Sequence, residues 1–176
     1  EPDGIRFGLV AIKNIGRGFI QSVVREREQG GSFTSLQDFC DRMYDCGDMN
    51  KRAVENLIRS GAFDSMGARR SQLLAVYEKV LDGIGNVRRR NVEGQIDFFG
   101  MSAANSTVET VVMPDIPEFT ATERMHMEKE TTGLYLSGHP MVGYRAAARS
   151  SGAVTLNEIL EDVSSEEGPT RFADGM

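Results

Sequence analysis

Apolar residues recur at helical spacing along the first half of the chain, in short stretches separated by glycine. Ile5, Leu9 and Ile12 fall on one stripe, widened by Phe7 and Val10, which predicts a helix over roughly 5–12. Phe19, Ile20, Val23 and Val24 mark a second, from Gly18 to Gln29, closed by Gly30-Gly31, since glycine readily takes a left-handed C-terminal cap. Ser35, with Asp38 three residues on, opens a third whose core face is Leu36, Phe39, Cys40 and Met43, and the polar run Asp45 to Asp48 breaks it. Asn50 is the predicted N-cap of a fourth, with Val54, Leu57 and Ile58 buried and an end at Ser60-Gly61-Ala62-Phe63. A fifth covers roughly Ala68 to Asp82, with Leu73, Tyr77, Val80, Leu81 and Ile84 on one side. The pattern predicts an all-α fold.

The turn between the first two helices, Ile12-Lys13-Asn14-Ile15-Gly16-Arg17-Gly18, carries a candidate chemistry. Gly16 and Gly18 allow turn conformations and a close approach by another molecule. The following helix would present unpaired N–H groups and the positive end of its dipole, which suit a phosphate. A tight inter-helix turn with no ligand fits the same residues. A repeat sharpens the reading: Leu57-Ile58-Arg59-Ser60-Gly61 echoes Ala11 to Gly16 and is again followed by a helix. The second turn, Gly61 to Gly67, is longer and lacks G-x-G.

Helix, hairpin, helix, twice, joined by a connector helix, is the tandem helix-hairpin-helix arrangement. With Ile5-Arg6-Phe7-Gly8-Leu9, Ile12-Lys13, Ser35 to Cys40, Asn50-Lys51-Arg52 and Gly61-Ala62-Phe63-Asp64 in this order, the chain resembles the bacterial C-family replicative DNA polymerases in the region after their catalytic core. The resemblance covers residues 5 to about 100 and resumes at Glu123 to Tyr144. It implies duplex DNA bound through backbone phosphates without sequence reading. Lys13, Asn14, Gly16, Arg17 and Gly18 would take one strand, and Gly61, Ala62, Gly67, Arg69 and Arg70 the other.

Three arginines, Arg88 to Arg90, are either a backbone contact or the flank of a linker. Beyond them Gln95-Ile96-Asp97-Phe98-Phe99 sets three large apolar side chains between glycines, a pattern that asks for a pocket on another protein. By resemblance it matches the pentapeptide with which this polymerase family binds the sliding clamp; simple packing back on the domain fits the same residues. Met101 to Phe119, low in charge and containing Pro114 and Pro117, reads as a mobile linker. Thr120 and Glu123 form a capping box for a helix toward Thr132. His139 precedes a proline and reads as a turn residue. Short helices are expected over 144–150 and 156–163, leading in the family to an OB fold. The expected division is a hairpin domain over 1–93, a linker over 94–119 and a helical segment over 120–176.

Charge divides the chain unevenly. Residues 1–95 carry 15 Lys and Arg against 13 Asp and Glu, a balance of +2, whereas 96–176 carry 5 against 13, a balance of −8. DNA contact is therefore expected in the first part only. Cys40 and Cys46 fit no zinc spacing, and Cys40 is in phase with the core. No paired-aspartate pattern for two-metal chemistry, Walker loop or nucleophile elbow is present, so the segment is expected not to catalyse by itself. Magnesium is expected only in the parent's catalytic domain. The chain does not begin with Met and reads as part of a longer, cytoplasmic protein with no membrane partner; other domains and subunits of the polymerase are the remaining expected partners. Two other readings fit the helices: a hairpin scaffold for protein docking, and a helix-hairpin-helix DNA repair protein.

Overall fold

The computed structural model describes residues 8–47, 49–92 and 111–164. Among them it is helical, with no strand: α1 (Arg17–Gly30), α2 (Leu36–Met43), α3 (Lys51–Arg59), α4 (Arg70–Val92), α5 (Ala121–Thr132), α6 (Arg145–Ser150) and α7 (Leu156–Ser164), with short 3-10 turns at Leu9–Ala11, Asp64–Met66 and Pro140–Tyr144.

Local signals set most helix starts. Ser35 Oγ accepts from Asp38 N at 3.1 Å and Asn50 Oδ1 from Ala53 N at 2.9 Å. Thr120 and Glu123 close a reciprocal capping box. The predicted first helix is, in its described part, only the turn Leu9–Ala11, because Ile12 is already extended and the chain swings into the hairpin. In contrast, α4 overruns its expected end at Asp82 by ten residues. The helix runs through Gly83 and Gly85, and a Cβ at Gly85 would lie 2.6 Å from the Tyr44 hydroxyl. That glycine makes room for a tertiary contact inside a continuing helix. Arg88, expected in a basic run outside the helices, sits in α4 with its guanidinium on the Asp41 carbonyl at 2.9 Å, paired with Asp45 and 5.5 Å from the Tyr44 ring centre.

One core joins the hairpins. Phe19 and Val23 of α1, the α2 face Leu36, Phe39, Cys40 and Met43, Val54, Leu57 and Ile58 of α3, and Leu73, Val76, Val80, Leu81 and Ile84 of α4 are all buried. Phe39, on the connector, meets Phe19 edge-on at 6.4 Å and Phe63 at 5.0 Å, so one ring touches residues of both hairpin units. Arg42 fastens the end of α1, donating to the carbonyls of Glu26 at 2.7 Å and Gly31 at 3.1 Å. Cys40 is a free, buried core thiol, which burial, with Asp41 beside it, pushes up to about 12.

The first compact unit extends to Ser137 and the second begins at Gly138. Residues 111–119, the described part of the predicted linker, form neither helix nor strand and belong to the first unit, and α5 packs on α3. In the second unit α6 and α7 are both short, and Leu156, Leu160 and Val163 of α7 are exposed. The His139 Nδ1 accepts from Met141 N at 3.2 Å, the turn role expected of it.

Candidate nucleic-acid interface

The first hairpin is pinned from two sides. Lys13 N donates to Thr131 O of α5 at 2.8 Å, and Asn56 Nδ2 of α3 donates to Lys13 O at 2.7 Å. The next residue, Asn14, carries the left-handed conformation, with φ 62°. Asparagine tolerates that region better than other side chains do. Gly16 was expected to supply the special conformation; its φ of −79° is open to any residue, and a Cβ there would meet nothing within 4 Å. The fold itself therefore does not call for glycine at 16. Gly16 is the N-cap of α1 and brings no side-chain oxygen to the first N–H groups. Gly18 lies within the first turn of α1, and Arg17, its first residue, is exposed.

The second hairpin is built differently. Gly61, with φ 84°, has structural reasons to be glycine: a Cβ would fall on the Arg70 guanidinium and 2.9 Å from the Asp64 carboxylate. Ala62 is exposed, and Gly67 takes φ 80° before α4. Arg70, expected to reach a phosphate, is turned inward. Its side chain is 4% exposed, donating to Asp64 at 2.6 Å and Glu128 at 3.0 Å, and to Arg59 O at 3.2 Å. Burial works against its charge, and the two carboxylates outweigh it, keeping the guanidinium protonated. A cation already shared between two carboxylates has little charge left for a third anion.

The helix start behind this hairpin is filled as well. Glu118, 48 residues downstream, accepts from Arg70 N at 2.8 Å, Ser71 N at 3.1 Å and its own neighbour Phe119 N at 2.8 Å. Burial pushes this carboxyl up, and the three N–H groups with nearby Arg124 more than offset it, holding it below the usual range. Arg69 donates to Ile116 O at 2.7 Å and lies 3.4 Å from Asp115, while Gln72 Nε2 donates to Pro114 O at 2.8 Å. Residues 114–118 thus lie along the start of α4, on the groups expected to take the second strand.

Glu128 locks this arrangement. It is fully buried on α5, pairs with Arg70, and accepts from Leu136 N and Ser137 N, each at 2.8 Å. Burial raises its carboxyl and those bonds override it, leaving the group below its ordinary value. No sequence signal pointed to Glu118 or Glu128, because their bonds to Arg70 and Ser71 span 47 to 58 residues.

Gln95, Ile96, Asp97, Phe98 and Phe99 lie outside the described residues. Among those described, no group of three or more His, Cys, Asp or Glu side chains could hold a metal ion, and no helix is long and apolar enough to cross a membrane.

A family model described as a helix-hairpin-helix motif matches residues 1–73. The chain is similar to the protein named DNA polymerase III subunit alpha in several bacteria. Identity is 40% over 152 residues in Deinococcus radiodurans, covering 82% of this chain and 11% of the relative. It is 38% over 141 residues in Chlamydia pneumoniae (79% and 11%), and 34% over 157 residues in Xylella fastidiosa strain Temecula1 (89% and 13%). The chain thus spans about an eighth of the length of these relatives. The tandem hairpins joined through α2 and this run of matches lead to one conclusion: the chain belongs to the family of bacterial DNA polymerase III alpha subunits, of which it represents the helix-hairpin-helix region.

Proposed function

We propose that this region holds duplex DNA for a replicative polymerase, through backbone phosphates and without reading sequence, and tethers the enzyme to its sliding clamp through Gln95 to Phe99. The DNA reading is carried by the start of α1. Helices α2, α3 and α5 open on side-chain caps and α4 opens on Glu118, whereas α1 opens on a glycine with empty space in front of it. Uncapped N–H groups at a positive helix end favour an anion. Lys13 and Arg17 flank them, and neither makes an ion pair among the described residues.

Phosphate contacts fix position and carry no sequence information, so affinity should be independent of sequence. With roughly two to four phosphates neutralised, the log-log salt slope should lie near −2 to −4. Replacing Gly16 with Val tests the assignment. Duplex binding should fall about tenfold with helical content unchanged; unchanged binding would favour the protein-docking scaffold instead. Glycosylase activity in a base-excision assay would support the repair reading.

The clamp reading rests on the pentapeptide's chemistry. Ile96, Phe98 and Phe99 offer anchors worth roughly 1.5–3 kcal/mol each when fully buried, and the Gln95 amide can satisfy polar groups at a pocket rim. Phe98→Ala with Phe99→Ala should abolish capture by the sliding ring in a pull-down; undiminished capture would remove the claim. The polymerase setting makes the cytoplasm the proposed location and the other polymerase domains and subunits the proposed neighbours.

A further inference from the structure

The second hairpin already holds a carboxylate where the symmetrical reading needs a phosphate, so a second phosphate contact has to be sought elsewhere. The cleft beside the first hairpin offers one. It has a volume of about 280 Å³ and is lined by Lys13 and Asn14 of the turn, Arg52, Glu55 and Arg59 of α3, and Glu130 of α5. Its acids are both engaged, since Arg59 pairs with Glu55 at 3.3 Å and also with Glu130. Three cations against two carboxylates leave the cleft net positive, and the charges outside that triad are Lys13 and Arg52.

Arg52 is the residue whose position the fold does not explain. It stands in the first turn of α3, where the helix dipole disfavours a cation. Its neighbour Lys51 has a local reason to be there, pairing with Asp82 at 3.1 Å and Glu78 at 3.6 Å on α4. Arg52 is exposed and makes no ion pair among the described residues. The opposite wall is held firmly, because the bonds from Asn56 and to Thr131 pin the Lys13 peptide. A fixed backbone turn facing a free guanidinium is a preorganised anion cleft, and an arginine fork suits phosphate oxygens.

We infer that Arg52, with Lys13 and Asn14, takes a duplex phosphate in this cleft, making the first hairpin and α3 the DNA grip while the second hairpin is closed by Glu118. The inference rests on the duplex-binding reading above and names the residues that execute it. The measurement is anisotropy of a fluorescein-labelled duplex with the whole 176-residue chain at several salt concentrations. Arg52→Ala should weaken binding about fivefold or more and reduce the salt slope by about 0.9, the value of one phosphate contact. Arg52→Lys should retain most of the affinity, and Arg69→Ala should stay within about twofold of the parent.

Binding by Arg52→Ala within about twofold of the parent overturns the inference while leaving duplex binding intact. A loss on Arg69→Ala as large as that on Arg52→Ala overturns it in favour of a two-hairpin grip. A parent chain that does not bind duplex overturns the underlying reading and this inference with it.

Discussion

The two hairpins share a plan and differ in what completes them. At the first, the positive end of the following helix is left open: Gly16 supplies no oxygen, and a Cβ there would touch nothing. At the second, the corresponding end is closed by Glu118, and the arginine behind it is buried between Asp64 and Glu128. The difference teaches that a repeated order of helix, turn and helix does not fix how each helix start is satisfied. A helix start must be satisfied by something, and whether that is the chain's own carboxylate or a ligand decides what the repeat does.

The contrast breaks most severely at the buried pair. Glu128→Ala leaves Arg70 without one of its two carboxylates in a dry site, and should cost about 3–5 kcal/mol in urea unfolding. Hydrogen exchange should show α5 released and, through the lost Thr131 contact, a looser Lys13 turn. Gly61→Ala comes next, at about 1–3 kcal/mol, since it combines a positive φ with a clash on the Arg70 guanidinium. Gly16→Ala should cost under about 1 kcal/mol, because only its N-cap preference is affected. If the two alanine variants were equally destabilised, the distinction drawn between the hairpins would fail.

Acid probes the closure of the second hairpin. Glu118 and Glu128 both have carboxyls lowered in the folded state. Their stabilisation is therefore fully present above the unfolded value of about 4.3 and is lost as pH falls through the lower folded values. Urea midpoints should drop more steeply below pH 4.3 for the parent than for Glu118→Gln. That variant should itself lose about 1 kcal/mol at pH 7, a modest figure because the carboxylate is partly solvated. The smallest effect falls on the first hairpin: Asn14→Gly should change stability by only a few tenths of a kcal/mol, and Asn14→Ala should cost about 1 kcal/mol.

How much of this could be read from the sequence follows from how far each determinant reaches. The Ser35, Asn50 and Thr120 caps act over three residues and stood in the sequence as written. The apolar stripes placed the core of α2 to α4 for the same reason. The extension of α4 past Asp82 was not legible, because glycine at 83 and 85 lowers helix propensity locally while Tyr44, far away in sequence, needs the space at Gly85. The turn at Asn14 was credited to its glycine neighbours, which are the commoner carriers of positive φ. Arg70 was read with Arg69 as a phosphate contact, since nothing in the sequence announced the distant Glu128 as its partner. The linker reading of 111–119 rested on proline and low charge, neither of which reveals that Glu118 has a helix end to occupy.

That long reach of Glu118 also has a meaning in time. During synthesis the start of α4 leaves the ribosome 48 residues ahead of the carboxylate that completes it, an interval of roughly 2–10 s at about 5–20 residues per second. For those seconds the nascent chain carries two open helix ends, and only the arrival of residues 114–118 makes them unlike.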